Sequence, residues 1–293
     1  MKRILLLGSN GQLGSDLIRA AEGRADVQIT PLCRDDLDVT QPDQIVATLG
    51  EHAFDVLING TSYHKTDEVE ANADQAVAIN AHAVREMARA CGEANARFVH
   101  VSTDYVFDGR ADQPYREDDP TGPLNVYGST KRMGETLAQS VHDDVLIFRV
   151  ASLFGIAGAS GKGGNFVETM IRVGRDKGAL RVIADQFMSP TATADVAEIL
   201  LTAIHEDAPA GIYHAVNSGQ ASWFDFASQI IQRAGIDATV DPIPATEYPL
   251  PAARPGFSVL DNTKISDIVG PVPHWTDALD RYLSAKGHTA SVA

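Results

Sequence analysis

The chain has 293 residues with a formal net charge of −15 and an isoelectric point near 4.9. This acidity argues against a basic face for the phosphate backbone of a nucleic acid and is typical of a protein kept in solution by its charge. With 44% hydrophobic and 22% charged residues, the composition predicts a globular protein of one large domain or two closely joined ones.

The N-terminal segment and the two cysteines indicate where the protein resides. The apolar run in MKRILLLG stops at Gly8, too short for a signal peptide, and no stretch approaches the ~20 apolar residues of a membrane span. Cys33 and Cys91 have no metal-like spacing and are expected to be reduced thiols. We therefore expect a cytoplasmic protein that binds neither membrane nor nucleic acid.

Short apolar runs alternate with helical patterns in the first half of the chain. A helix is predicted at GSDLIRAAEG (14–23), and another long one lies between the third and fourth apolar runs. Continuous apolar strands separated by helices predict an α/β fold, a Rossmann doubly wound parallel sheet. Strands are predicted at RILLLG (3–8), VQITPL (27–32), FDVLING (54–60), RFVHVST (97–103) and DVLIFRVA (144–151).

After about residue 150 the alternation loosens. GIAGASGKGGN (155–165) predicts a glycine-rich loop, followed by a helix, a strand and a further helix at TADVAEILLTAIHE (193–206). The prolines between residues 242 and 255 predict a loop instead of a strand, and a last helix is expected from near Thr276. The tail SAKGHTASVA (284–293) is expected to be frayed or disordered.

A glycine-rich turn follows the first strand in GSNGQLG (8–14). Glycine permits a tight turn and lets the backbone approach a pyrophosphate, which the next helix N-terminus then faces. The spacing is G-x-x-G-x-x-G, so a purely structural turn is the alternative. Arg34, after the second strand, suits the 2′-phosphate of NADPH, whereas Asp35 and Asp36 beside it would suit NADH. We therefore expect NADPH as the cofactor, with NADH as the alternative.

YGSTK (127–131) places Tyr127 and Lys131 on one face of a predicted helix. A nearby ammonium lowers the pKa of a phenol, which makes it a better-matched acid for a carbonyl oxygen that receives hydride. Thr103 follows the fourth strand, where parallel sheets bind ligands. A chance pair on a surface helix is the alternative, and the position after a parallel strand favours catalysis.

GSNGQLG, STDYVFDG and YGSTK together resemble the extended short-chain dehydrogenase/reductase family. DLDVT (36–40), RVASLFG (149–155), DQFMSPT (185–191) and RPGFSVLD (254–261) resemble its dTDP-4-dehydrorhamnose reductase group. The likeness runs from residue 3 to about residue 285. It implies an NAD(P)H-dependent oxidoreductase that reduces the C4 keto group of a nucleotide-linked 6-deoxy-4-ketosugar, converting dTDP-4-dehydro-L-rhamnose to dTDP-L-rhamnose.

The resemblance also implies roles for residues. Tyr127 is expected to donate the proton, Lys131 to hold the nicotinamide ribose and tune Tyr127, and Thr103 to hydrogen-bond the substrate oxygen. Besides Tyr127 and Lys131, the expected cofactor-binding residues are Gly8, Asn10, Gly11, Gln12, Leu13, Arg34, Asp38, Val39, Asn59, Gly60, Thr61 and Asn80. The expected substrate-binding residues are Thr103, Asp104, Tyr105, Ser152, Asn165, Phe166 and Arg254.

Three departures from the family pattern leave the sugar open. Ser152 stands where a tryptophan is frequent, the run 63–65 reads Tyr-His-Lys in place of small residues followed by a tyrosine, and Gly256-Phe257 replaces Ala-Asn. Some members form a magnesium-linked dimer through acidic residues, and Asp16 lies at one such position. Since the sequence shows no full set of metal ligands, we predict no metal. A homodimer stays open.

Three alternatives remain: a reductase of a different nucleotide 4-ketosugar, a dehydratase or epimerase, and a non-catalytic NADP-binding regulatory subunit. Dehydratases carry Asp-Glu after the threonine, and here Asp104 precedes Tyr105. Among single residues, His64 is expected to contact solvent or a substrate, and His100 to be a hydrogen-bonded core residue. Trp223 and Trp275 are expected to serve packing, and REDDP (116–120) to be a solvated loop.

The same patterns predict how the chain divides. Residues 1–150, with about 188–217, are expected to form the NAD(P)-binding Rossmann domain. Residues 151–187 and 218–286 are expected to form a smaller C-terminal α/β lobe for the substrate, with 287–293 as a tail.

Overall fold

The structure of the protein, a computed structural model, describes residues 1–158 and 164–288. These residues form twelve strands. In chain order the strands are β1 (Lys2–Leu7), β2 (Val27–Leu32), β3 (Val56–Asn59), β4 (Arg97–Thr103), β5 (Val145–Val150), β6 (Leu153–Phe154), β7 (Ala179–Ile183), β8 (Phe187–Met188), β9 (Thr191–Ala192), β10 (Gly211–His214), β11 (Ala221–Ser222) and β12 (Thr239–Ile243).

Eleven α-helices and a π-helical turn at Ala78–His82 connect these strands in the described part of the chain. The helices are α1 (Gln12–Ala21), α2 (Pro42–Gly50), α3 (Thr66–Glu70), α4 (Ala73–Val77), α5 (Ala83–Glu93), α6 (Val126–Val141), α7 (Phe166–Lys177), α8 (Thr193–His205), α9 (Trp223–Arg233), α10 (Thr263–Val269) and α11 (Trp275–Ala285). None of these helices is both long and apolar enough to cross a membrane.

Six strands form the central sheet in the order β10-β5-β4-β3-β1-β2, and all neighbouring pairs are parallel. β3 and β5 are buried along their whole length, because helices cover both faces of the sheet. One apolar cluster joins the sheet to α1 and α8, and another joins it to α2, α5 and α6. The α/β fold with a doubly wound parallel sheet is therefore confirmed.

The chain direction across the sheet reverses beside β1. From β1 the chain first adds β2 on one side and then β3 on the other. Ligands bind at such a switch point, outside the carboxyl ends of the strands. The glycine turn after β1 and Gly60 after β3 lie there together, since a Cβ on Gly8 would be 3.0 Å from the Gly60 carbonyl.

The C-terminal part builds a third apolar cluster from α7, α9 and α11, which includes Phe226, Trp275 and Leu279. Two short sheets accompany it, β7 with β12 and β8 with β11. Trp275 is buried in this cluster, as predicted, and the last helix starts there, one residue before the expected Thr276. The division of the chain into two domains stays a prediction.

Several predicted elements need correction. Pro242, expected in a loop, lies in β12, where an edge strand tolerates the missing N–H. The single long helix expected before β4 is interrupted at Ala78–His82 by the π turn. β10 and α2 were not predicted from the sequence.

The expected disorder of the tail is also corrected in part. Ser284 and Ala285 end α11, and His288 Nε2 lies 3.1 Å from the Glu168 carboxylate. Residues 289–293 of the tail and residues 159–163 of the predicted glycine-rich loop lie outside the described residues.

Candidate active site

A cavity of about 810 Å³ opens at the carboxyl ends of β1, β3, β4 and β5, between the central sheet and the C-terminal part. Most of the predicted site residues line it: Gly8, Asn10, Gly11, Gln12, Leu13, Arg34, Asp38, Val39, Gly60, Thr61, Thr103, Asp104, Tyr105, Tyr127, Lys131, Ser152, Asn165 and Phe166. Residues separated by more than a hundred positions in the chain therefore share one pocket.

The glycine turn has a shape that only glycine allows. Gly8 has a φ of +79°, and a Cβ on Gly14 would lie 2.4 Å from the Gly8 carbonyl oxygen. No side chain caps the N-terminus of α1, so its first N–H groups remain available for an anion. The buried Oε1 of Gln12 has no hydrogen-bond partner among the described residues. The tight glycine turn and the uncapped N-terminus of α1 fit a dinucleotide pyrophosphate, whereas Gln12 Oε1 can only accept from a donor such as a hydroxyl group.

Arg34 lies at the far end of the cavity, where the predicted adenine subsite would be. Two of the nearby carboxylates are already engaged: Asp36 accepts from the Cys33 N–H at 2.8 Å, and Asp38 accepts from Thr40 Oγ1 at 2.8 Å. The exposed Arg34 forms no hydrogen bond or ion pair with any other described residue. A free guanidinium at this place suits a 2′-phosphate.

Tyr127 lies in the first turn of α6, which begins at a capped N-terminus because Asn125 Oδ1 accepts from the Gly128 N–H at 2.8 Å. The phenol hydroxyl lies near the hydroxyl groups of Thr103 and Ser62, which lower its pKa. Thr103, the last residue of β4, donates from Oγ1 to Asp104 at 3.0 Å. The predicted proton donor and the predicted substrate-binding hydroxyl thus lie side by side in the cavity.

The pKa of Tyr127 differs from the expectation. Burial raises it to about 12, and the hydrogen bonds with Thr103 and Ser62 oppose this rise only in part. Lys131 does not lower it, because Nζ donates to the Val101 carbonyl at 2.6 Å and lies 3.2 Å from His100 Nε2. Tyr127 therefore keeps its proton at neutral pH and has one to give.

Lys131 and Asp104 are both buried and both have shifted pKa values. Burial lowers the pKa of Lys131 to about 7, against the opposing charge of Glu135. Burial raises the pKa of Asp104 to about 6, against hydrogen bonds from Ser258 and Thr103. Asp104 Oδ2 has no partner among the described residues. The cavity floor can thus hold or release protons near neutral pH.

Three of the predicted site residues do not line the cavity. Arg254 forms an ion pair with Asp67 at 2.9 Å and donates to the Ala252 carbonyl. Asn80 lies behind α6, where Nδ2 donates to Thr130 Oγ1 at 3.1 Å and Oδ1 accepts from the Tyr63 N–H. Asn59 is fully buried between Thr61 and His100. Asn59 and Asn80 are placed to support the site from behind, and Arg254 would have to leave Asp67 to reach a ligand.

Trp223 is a cavity residue that the sequence interpretation assigned to packing alone. Its ring packs against Phe166 with centroids 4.7 Å apart, and both rings line the pocket. The available signal was the capping box formed by Ser222 and Asp225, which places Trp223 at the start of a helix. Ser62, Thr66 and Ile79 also line the cavity without having been predicted.

The other single-residue expectations have mixed outcomes. His64 and Ser152 line the cavity, whereas Tyr63, Lys65, Gly256 and Phe257 do not. Most of the REDDP loop is exposed or partly exposed, but Glu117 Oε1 accepts from the His214 N–H at 3.0 Å. Asp16 accepts from Thr193 and Arg19, and the described residues contain no cluster of His, Cys, Asp and Glu that could hold a metal.

Comparison with known proteins gives consistent results. The family model described as RmlD substrate binding domain matches residues 1–287. A dTDP-4-dehydrorhamnose reductase of Burkholderia thailandensis is 36% identical over 294 residues, covering 94% of this chain and 96% of the relative. A probable dTDP-4,6-dihydroxy-2-methyloxan-3-one 4-ketoreductase of Streptomyces antibioticus is 37% identical over 281 residues, covering 94% and 93%.

A solved structure gives the same result for the fold. The dTDP-4-dehydrorhamnose reductase from Bacillus anthracis, in complex with NADP, superposes with a TM-score of 0.89 at 34% identity. The match covers 97% of this chain and 99% of that one.

Proposed function

The chain belongs to the RmlD substrate binding domain family, and from that premise we propose that it is an NADPH-dependent reductase of a nucleotide-linked 6-deoxy-4-ketosugar. The observation that supports this most is the position of the Tyr127 hydroxyl beside Thr103 in the cavity that the glycine turn also lines. A phenol that holds its proton at neutral pH is the acid that a ketone needs when it accepts hydride.

The proposed reaction adds a hydride to the keto carbon and a proton to the keto oxygen, which gives a secondary alcohol. The reduced nicotinamide supplies the hydride when it is bound. Tyr127 supplies the proton from Oη, and Thr103 orients the keto oxygen toward it. The glycine turn and the N-terminus of α1 bind the pyrophosphate, and Arg34 binds the 2′-phosphate, so NADPH is expected to be preferred over NADH.

The proposed substrate is dTDP-4-dehydro-6-deoxy-L-mannose and the product dTDP-L-rhamnose, after the names of the reductases that the chain resembles. A different nucleotide 4-ketosugar is the second candidate. The Streptomyces antibioticus relative carries such a name, and Ser152 and His64, which depart from the family pattern, line the cavity. The cytoplasmic location and the homodimer also remain proposals, to be tested by cell fractionation and by sedimentation.

The function is tested by following the absorbance of the reduced nicotinamide. We expect rapid oxidation of NADPH when enzymatically made dTDP-4-dehydro-6-deoxy-L-mannose is added, and slower oxidation of NADH. Oxidation with another 4-ketosugar alone would assign the second candidate. No oxidation with any ketosugar, while NADPH still binds, would indicate the non-catalytic subunit instead.

Tyr127→Phe tests the assignment of the acid. We expect turnover to fall about 10²–10⁴-fold, the usual contribution of a positioned acid, while NADPH affinity stays unchanged. Tyr248→Phe is the matched control, because Tyr248 is 60% exposed and does not line the cavity. If Tyr127→Phe kept normal turnover, the proton would come from another group.

A further inference from the structure

We propose that His100 is a positioning residue that holds Lys131 as a neutral amine in the cofactor-free protein. The proposal rests on the proposed function in giving Lys131 a catalytic role, but the chain of hydrogen bonds that carries it does not depend on the substrate. This chain runs from the Thr61 backbone through Asn59 and His100 to Lys131.

The first link fixes the orientation of the Asn59 amide. Asn59 Oδ1 accepts from the backbone N–H of Thr61 at 3.0 Å and from the Thr61 hydroxyl at 2.6 Å. A backbone N–H can only donate, so the amide oxygen must face Thr61. The amide nitrogen then faces His100, with Nδ2 at 3.2 Å from Nδ1.

The second link fixes the tautomer of His100. The Asn59 Nδ2 group can only donate, so His100 Nδ1 must accept and carries no proton. His100 is fully buried, and burial holds its pKa well below the usual value, so the imidazole is neutral. The single proton is therefore on Nε2, which points at Lys131 Nζ at 3.2 Å.

The third link sets the state of Lys131. An ammonium has three donors and no lone pair, so it cannot accept from Nε2–H, whereas a neutral amine can. A neutral Lys131 accepts from His100 and still donates to the Val101 carbonyl at 2.6 Å. With this assignment each nitrogen and oxygen atom of the chain has at least one partner, and burial lowers the pKa of Lys131, which also favours the neutral amine.

The charged groups around Lys131 do not reverse this assignment. Glu135, one turn further along α6, favours the ammonium, but its carboxylate is already paired with Arg149 of β5 at 2.8 Å and accepts from Ser102 of β4. Tyr127, on the preceding turn, is uncharged at neutral pH. His100, on the sheet side, donates to Lys131 as argued above.

The decisive measurement is a nitrogen NMR spectrum of the cofactor-free protein with ¹⁵N-labelled histidine, in which His100 is assigned by its loss in His100→Gln. We expect an unprotonated Nδ1 and a protonated Nε2. His214 is an internal reference of the opposite kind, because its Nδ1 lies 3.1 Å from the Asp261 carbonyl and must donate. A protonated Nδ1 on His100, or an imidazolium, would overturn the proposal.

Asn59→Asp provides a second test of the same chain. A carboxylate accepts from Thr61 and also from His100, so we expect the proton of His100 to move to Nδ1 and the resonance pattern to become that of His214. An unchanged His100 tautomer in this variant would show that Asn59 does not set it, which also overturns the proposal.

A pH profile separates the positioning role from a structural one. NADH has no 2′-phosphate, so its affinity from about pH 6 to about pH 9 reports on protein groups. We expect the affinity of the wild type to fall above about pH 7 and that of His100→Gln to fall at higher pH, since a glutamine oxygen can turn to accept from an ammonium. Coincident profiles would contradict the role.

These readouts are independent of turnover. If the tautomer is as expected but no ketosugar is reduced, the proposed function fails and the assignment of His100 stands. If ketosugar is reduced but the tautomer is the opposite one, only the role of His100 fails.

Discussion

Lys131 is among the largest side chains that lie fully buried, and its ionisation affects stability as well as catalysis. Its pKa is about 7 in the folded protein, against 10.5 for a free lysine. Between these values the unfolded chain binds a proton that the folded protein lacks, so stability from this group rises with pH above about 7 and is lowest below it.

Lys131→Met is therefore expected to raise the melting temperature, by several degrees near pH 6 and by less near pH 9, because an apolar side chain of similar shape carries no charge to bury. Calorimetry at the two pH values measures the difference. Lys177→Met, on the exposed end of α7, is the control and should show no such pH dependence. An equal gain at both pH values would mean that Lys131 is not the group that titrates.

Trp223 is expected to contribute to substrate binding. Its ring and that of Phe166 line the cavity together, and Ser152 lines it as well. Trp223→Leu should raise KM for the ketosugar up to about tenfold, the worth of one aromatic contact, with a smaller change in NADPH affinity. Steady-state kinetics checks this, and an unchanged KM with reduced thermal stability would restore the packing role.

At the residue scale, the sequence predicted the groups that carry local signals. Thr103, Tyr127 and Lys131 follow from a strand end and from helical spacing, and all three line the cavity. The ion pair of Arg254 with Asp67 could not be predicted, because its partners lie 187 positions apart. The contact of His100 with Lys131 could not be predicted for the same reason, because the sequence indicates that a histidine is buried but not which residue it contacts.

At the scale of elements, α6 sits unusually close to its neighbours. A Cβ on Gly134 would lie 2.1 Å from the Asn80 carbonyl oxygen in the π-helical turn. Asn80 in turn donates to Thr130 Oγ1 on the same helix. The position of Tyr127 and Lys131 over the end of β4 thus depends on a close approach of two backbones.

Gly134→Ala is expected to push α6 away from this turn. It should lower the free energy of unfolding by about 1–3 kcal/mol, the usual effect of overpacking, in spite of the higher helix propensity of alanine. Urea unfolding measures the loss, and turnover should fall with it. Gln139→Ala, on the exposed face of α6, is the control. A stabilised Gly134→Ala variant would show that propensity outweighs the close contact.

The predictability of elements follows their apolar length. β1, β3, β4 and β5 were predicted because buried parallel strands are continuous apolar runs. β10 has only four residues, Gly211–His214, and its hydrogen bonds to β5 come from far away in the chain. β12 was missed because a proline argues against a strand unless the strand is known to be an edge.

At the scale of the whole molecule, the central sheet depends on the second half of the chain. β10 completes it beside β5, and Tyr213, Ile265 and Val272 belong to the apolar cluster that covers one face. The doubly wound architecture could be predicted from the alternation of apolar runs and helices. The return of the chain to the sheet was predicted only in outline: residues of about 188–217 were assigned to the Rossmann domain, but no strand was predicted there.

A chain that ends at residue 206 is therefore expected to aggregate, although it contains every strand predicted from the sequence. It exposes the edge of β5 and part of the apolar face of the sheet. Size-exclusion chromatography of the purified fragment tests this. A chain that ends at His288 keeps every described residue and should elute like the full-length protein. A monomeric, cooperatively unfolding fragment 1–206 would contradict the prediction.

The position of β10 late in the chain also affects folding during translation. During translation β5 leaves the ribosome well before residues 211–214, so for that interval a mainly apolar strand has an unpaired edge. A pause of the ribosome within this interval would leave a nascent chain that can pair with its neighbours on the polysome. Synonymous codons that slow elongation after β5 has left the ribosome and before β10 has left it are thus expected to lower the yield of native protein more than the same codons near the end of the chain.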